Sequence, residues 1–112
     1  MSVRGETWLW IVQRATAAVL AFAVLVHLVT LVYAARHGFS AAAILERTRG
    51  NGIWLGFYLV FATAAALHAG VGLRAIAREM TPWRGAGLDA AALAAAALAA
   101  AAGWRAALGL FA

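Results

Sequence analysis

No cysteine occurs among the 112 residues. Disulfides, iron–sulfur clusters and thiolate zinc sites on this chain are therefore excluded. Lysine is absent too, so the formal net charge of +5 comes from nine arginines set against four acidic residues. Proline occurs once, at Pro82, and charged side chains make up only 12% of the sequence. What fills the chain instead is apolar: 66% of residues are hydrophobic and the mean hydropathy is +0.88. Such values lie far above those of a soluble domain and place the chain in the membrane class. The arginines stand at helix ends and in loops, which reads as interfacial anchoring and contact with lipid head groups. Nucleic-acid binding is not expected from that distribution.

Three stretches are long enough to cross a bilayer, which takes about 20 mostly apolar residues per helix. They run from about residue 8 to 36, from 53 to 78 and from 88 to 111. The expected fold is an all-α integral membrane protein of three transmembrane helices, forming a single membrane-anchor domain over residues 1–112. The spans nearly fill the chain, so chemistry on a water-soluble substrate is expected on another subunit. Arg4 and the small-residue sequence Val32-Tyr33-Ala34 could suggest a cleaved signal peptide. The apolar stretch is too long for that and contains Thr16, His27 and Thr30, so a retained span is expected.

The first span opens on a belt of tryptophans, Trp8 and Trp10, and ends at Arg36-His37-Gly38. A short helical pattern at 41–47 suggests a segment along the interface, and Gly50-Asn51-Gly52 reads as a turn. Thr81-Pro82-Trp83-Arg84-Gly85 forms the second loop. Asp89 lies in the first turn of the third helix, where the helix dipole favours a negative charge. That helix is mostly alanine with Leu88, Leu93 and Leu98, a composition suited to close packing and lacking chemistry. Arg4, Arg14, Arg74, Arg78 and Arg84 fall on the N-terminal side, against Arg36, Arg47, Arg49 and Arg105 opposite. This small excess leans toward a cytoplasmic N-terminus.

The residues able to carry chemistry are few. His68 lies inside the second span, where an imidazole is costly without a partner and is a functional candidate for that reason. Gly72 follows one turn later on the same face, leaving room for a flat group. Arg74 lies ~9 Å further along the axis, at a suitable distance to neutralise an anion near the interface. This pattern suits a b-type haem with His68 as axial ligand of the iron, Gly72 packing on the macrocycle and Arg74 on a propionate. The alternative is a structural histidine bonded to a carbonyl or threonine of a neighbouring helix. His27 poses the same question on the first helix. In antiparallel helices the two histidines should lie roughly 13 Å apart in depth, too far for one haem to join them. His27 is thus a candidate ligand of a second haem iron or a structural or proton-handling residue. Arg14 can pair a propionate, hydrogen-bond a quinone carbonyl, or snorkel to head groups. His37, at a helix exit, reads as solvated.

The segment Gln13-Arg14-Ala15-Thr16, with His68-x-x-x-Gly72-x-Arg74 and Glu79 eleven residues after the histidine, resembles the cytochrome b membrane-anchor subunit of succinate dehydrogenase and fumarate reductase. The resemblance covers about residues 10–111. It implies half of a multi-chain helical bundle in which His68 is one axial ligand of haem b and a second anchor chain supplies the other. It also implies that Arg14 lies near the haem propionates and the quinone pocket, and that quinone is the electron-accepting or -donating substrate. The implied partners are a second membrane-anchor subunit, an iron–sulfur subunit and a flavoprotein, the last two carrying the iron–sulfur clusters and FAD. The implied location is a bacterial inner (cytoplasmic) membrane. The chain departs from the family pattern at Trp10, where many members place a quinone-binding serine, and at Ala75, where many have a further histidine. Trp10 is therefore a candidate for lining the quinone pocket. His27 resembles the first-helix histidine of two-haem anchors in the same superfamily, so the haem count is one, or two if His27 also ligates. A haem-free scaffold that docks a soluble oxidoreductase and holds quinone is the competing function. A transporter or channel subunit would need a polar path that the third helix does not offer.

Overall fold

The computed structural model describes residues 2–112. Four helices occur in it: α1 (Val3–His37), α2 (Ala41–Thr48), α3 (Gly52–Met80) and α4 (Ala86–Phe111). Among the described residues there is no strand. Helices α1, α3 and α4 are long and apolar enough to cross a membrane. Each runs past the apolar stretch that marks it in the sequence, and for α1 and α3 the reason is a polar cap lying outside that stretch. Ser2 accepts the Gly5 amide proton at 3.1 Å, which starts α1 more than a turn before Trp8. Asn51 accepts from the amides of Ile53 and Trp54 at 3.1 and 3.2 Å and starts α3. Ser40 does the same for α2 through Ala43, at 3.1 Å.

Helix α3 lies between the other two long helices, and its opposite sides differ in chemistry. Toward α4 the seam is made of small residues. A methyl group on Gly70 would come within 2.8 Å of the Ala96 β-carbon, and one on Gly103 within 2.6 Å of that of Ala62. The backbones are thus as close as glycine permits, the geometry small residues provide in membranes. Ala66, on the same stripe as Gly70, is buried. Among the polar bonds that cross this seam is one from Trp104 Nε1 to Thr63 Oγ1 at 2.9 Å. Leu93 and Leu98 face outward, so of the five-spaced leucines only Leu88 packs inside.

The loop after α2 closes the far end of α4. Thr48 Oγ1 donates to the Leu110 carbonyl at 2.9 Å and the Gly50 amide donates to Phe111 at 2.8 Å. Helix carbonyls left open at an apolar boundary are expensive, and these bonds supply their partners. Helix α1 keeps most of its large side chains on the outside, among them Phe22, Leu25, Leu28 and Val29. Among the described residues no large side chain is fully buried within the chain.

Candidate functional site

Toward α1, helix α3 meets polar side chains at successive levels. Helix α1 presents Glu6, Gln13, Thr16 and His27, and α3 presents Arg74, Gly72, His68 and Tyr58 in the reverse order, as antiparallel neighbours must.

At the first level Arg74 is buried at 9% exposure. Its Nε donates to Asp89 at 2.7 Å, Nη2 to Glu6 Oε1 at 2.8 Å and Nη1 to Glu6 Oε2 at 3.3 Å. Arg78 Nη1 also reaches Glu6, at 3.0 Å. Two cations and two carboxylates from α1, α3 and α4 thus balance at one end of the bundle. Glu6 and Asp89 therefore already hold Arg74, the residue expected to meet a propionate. In the sequence Asp89 shows only as a partner of the helix dipole, and Glu6 carries no signal of its own. Their shared end was legible from the helix order, since both lie where Arg74 must emerge.

Gln13 and Gly72 meet at the second level. The Gln13 Nε2 atom would lie 3.4 Å from a methyl group on Gly72, so an amide occupies the room beside this glycine in the isolated chain. Gln13 Oε1 is buried with no hydrogen-bond partner among the described residues. Next to it opens a groove of about 590 Å³ between α1 and α3, whose lining includes Leu9, Trp10, Gln13, Val71 and Ala75 together with Glu6, Arg74 and Arg78 of the first level. Trp10 thus lines a groove beside an orphaned carbonyl. Arg14 lies one turn from Trp10, with its guanidinium carbon 5.2 Å from the indole centroid. Among the described residues it has no hydrogen-bond or ion-pair partner, and it is exposed. At about 100° per residue Arg14 lies roughly 200° around the helix from Thr16. The chain therefore does not bring Arg14 and His68 onto one surface of α1.

His68 itself is half-buried on the third level. Its Nδ1 lies 3.2 Å from Thr16 Oγ1, and its Nε2 has no hydrogen-bond partner among the described residues. The structural alternative, a bond to a neighbouring helix's threonine, is thus present. It engages only one ring nitrogen. Gly70, next but one in sequence, faces α4 and serves helix packing. Among the described residues no cluster of three or more histidine, cysteine or acidic side chains could hold a metal.

Farthest from the charged end, His27 Nδ1 lies 3.3 Å from the Tyr58 hydroxyl, with Tyr58 and Phe61 edge-on to its ring at centroid distances of 5.8 and 5.5 Å. The Thr16–His68 and His27–Tyr58 levels are separated by about 15 Å at 1.5 Å per residue, close to the expected depth difference. A largely apolar cavity of about 650 Å³ adjoins His27, bounded by Thr30, Tyr33, Arg47, Trp54 and Tyr58 among others. His37 stacks on Tyr33 with centroids 4.3 Å apart and donates from Nδ1 to the Tyr33 carbonyl at 3.1 Å.

The family model described as succinate dehydrogenase/fumarate reductase transmembrane subunit matches residues 1–104. Among curated proteins and solved structures, none matches the chain.

Proposed function

Because the chain belongs to the succinate dehydrogenase/fumarate reductase transmembrane-subunit family, we propose that it is an electron-transfer anchor which co-binds haem b with a second anchor chain. It is a multi-pass membrane anchor with three helices able to span. The observation that carries the haem reading is the state of His68. Its Nδ1 is held from α1 at 3.2 Å while Nε2 is uncommitted. An imidazole secured through one nitrogen and open at the other has the arrangement of a metal-ligating histidine with its outer-shell partner. A single such residue would supply one ligand to the iron, and a second protein ligand would come from another chain.

A bound haem supplies one-electron redox chemistry at its iron. The chain's own residues do the rest: His68 ligates, Thr16 orients it, and α4 packs behind α3 through Gly70 to hold the ligand helix in place. Arg14, outward-facing and unpaired, is suited to a propionate or a quinone oxygen presented by a neighbouring chain. Arg74, already neutralised, serves a propionate only through its remaining Nη protons. The groove lined by Trp10 and Gln13 is the proposed quinone site, where the Gln13 amide, turned so that its buried oxygen faces the groove, would accept a hydrogen bond from a quinol hydroxyl. The partners in this reading are a second anchor subunit, an iron–sulfur subunit and a flavoprotein. The charged Glu6–Arg74 end faces the cytoplasm of a bacterial inner membrane, in line with the arginine excess on that side.

Reduced-minus-oxidised spectra of the purified complex test the proposal. A b-type spectrum that disappears in His68→Ala is expected. An unchanged spectrum in that variant would remove His68 as a ligand. The Thr16–His68 bond equally suits a haem-free scaffold, and absence of any b-type signal in the unaltered complex would establish that reading.

A further inference from the structure

We propose that Thr16 is a positioning residue that fixes His68 as the Nδ1-protonated tautomer and so presents Nε2 as the ligating nitrogen. The inference rests on the haem reading above. A threonine hydroxyl has one proton to give. Thr16 Oγ1 lies 2.7 Å from the Val12 carbonyl and 3.2 Å from that of Gln13, against 3.2 Å from His68 Nδ1. The shortest of these is at the usual length of an O–H···O bond, so the proton sits on the Val12 side. Toward His68 the oxygen then offers only a lone pair. That contact is attractive only when Nδ1 carries the ring proton, which leaves the lone pair of neutral imidazole on Nε2. Thr16 is 7% exposed, so water does not compete for the contact.

His27 supplies an internal contrast. Its Nδ1 faces the Tyr58 hydroxyl at 3.3 Å, and that hydroxyl has no other partner among the described residues. The Tyr58 proton is uncommitted, so this hydroxyl can donate to Nδ1 as well as accept from it, and His27 is not tied to one tautomer. Only His68 is faced by an oxygen whose own proton is already given to a helix carbonyl.

A hydrogen bond from Nδ1 to an oxygen makes the imidazole a more basic ligand and favours ferric iron. In the intact complex, Thr16→Val should raise the haem midpoint potential and lower the haem bound per copy of the chain. Removing such an outer-shell partner weakens metal binding about 10- to 100-fold. Thr16→Ser keeps the oxygen and should resemble the unaltered protein in both. Thr16→Ala, which adds no bulk, takes the place of the valine variant if that one fails to assemble. A redox titration with low-temperature EPR of the low-spin haem provides the readout without any turnover assay. Unchanged potential, occupancy and EPR signal in the variants lacking the oxygen would overturn the inference while leaving His68 a ligand. Equal changes in Thr16→Ser and Thr16→Val would also overturn it, by assigning the effect to packing. No b-type haem in the unaltered complex would instead overturn the proposed function itself.

Discussion

Replacing Arg74 with glutamine tests whether the charged end of the bundle is a clamp on three helices. The guanidinium makes a forked bond to Glu6 on α1 and a 2.7 Å bond to Asp89 on α4, from a position that is 9% exposed. A hydrogen bond to a charged group contributes about 1.5–3 kcal/mol net, and breaking a buried ion pair costs about 3–5 kcal/mol. Two features reduce that figure. The Glu6 and Asp89 side chains are 40% and 32% exposed, so water recovers part of the loss, and Glu6 keeps Arg78 at 3.0 Å. A cost of about 2–4 kcal/mol is the result for Arg74→Gln, once the buried-pair value is discounted for this screening. Arg78→Gln is the control. Its single bond joins two well-exposed side chains and should cost at most about 1 kcal/mol. Denaturation of the purified complex in mixed micelles, with folding followed by circular dichroism, measures both. Arg74→Gln combined with Asp89→Asn should cost less than the sum of the single changes, because the second removes the charge the first leaves unpaired. Equal costs for the Arg74 and Arg78 variants, or strict additivity in the double variant, would refute the clamp.

Further outcomes follow from the two sides of α3. Gly70→Val and Gly103→Val should each destabilise the complex by about 1–3 kcal/mol, as overpacking does, because the opposing atoms are β-carbons of alanine that cannot swing away. Pairing Gly70→Val with Ala96→Gly should restore part of the loss in the same denaturation assay. His27→Leu should leave the haem-to-protein ratio unchanged, since its Nδ1 is engaged with the Tyr58 hydroxyl and its ring is flanked edge-on by Tyr58 and Phe61. A pyridine haemochrome ratio that fell by half in His27→Leu would show a second haem at this level.

The hydropathy pattern carried the architecture, because in a membrane the length and apolarity of a segment nearly determine that it is a helix. Helix ends were less legible: Ser2 and Asn51 lie outside the apolar runs, and their capping role depends on which amides they meet. The depth difference between His27 and His68 could be read from rise per residue alone. What could not be read was rotation about the helix axis. Gly70 and Gly72 look equivalent beside His68 in the sequence, yet the first meets Ala96 on α4 and the second meets Gln13 on α1. Arg14 and Thr16 are nearly adjacent in sequence and face opposite ways. Leu88 and Leu93 likewise divide between inside and outside. Glu6 was overlooked for another reason. It stands before the apolar run, where hydropathy carries no signal, but α1 begins early enough to carry it to Arg74.

The two seams of α3 explain why chemistry falls on one side only. Against α4, glycine and alanine bring the backbones so close at Gly70–Ala96 and Gly103–Ala62 that a methyl group does not fit between them. Against α1 the contacts are made by Glu6, Gln13, Thr16 and His27, whose side chains hold the helices further apart and leave grooves at two levels. Threonines here also bond back to their own helix, Thr16 to Val12 and Thr30 to His27, which keeps their protons from wandering in an apolar medium. A histidine on the α4 side would have to be buried in a close-packed seam with nothing to ligate. On the α1 side, His68 gains Thr16 as a partner for one nitrogen, and the other has no hydrogen-bond partner among the described residues. The same arrangement makes α1 the more weakly packed helix, held by polar bonds and by whatever covers Phe22, Leu25 and Val29 on its outer face. A ligand shared with a second chain would therefore stabilise the seam that most needs it.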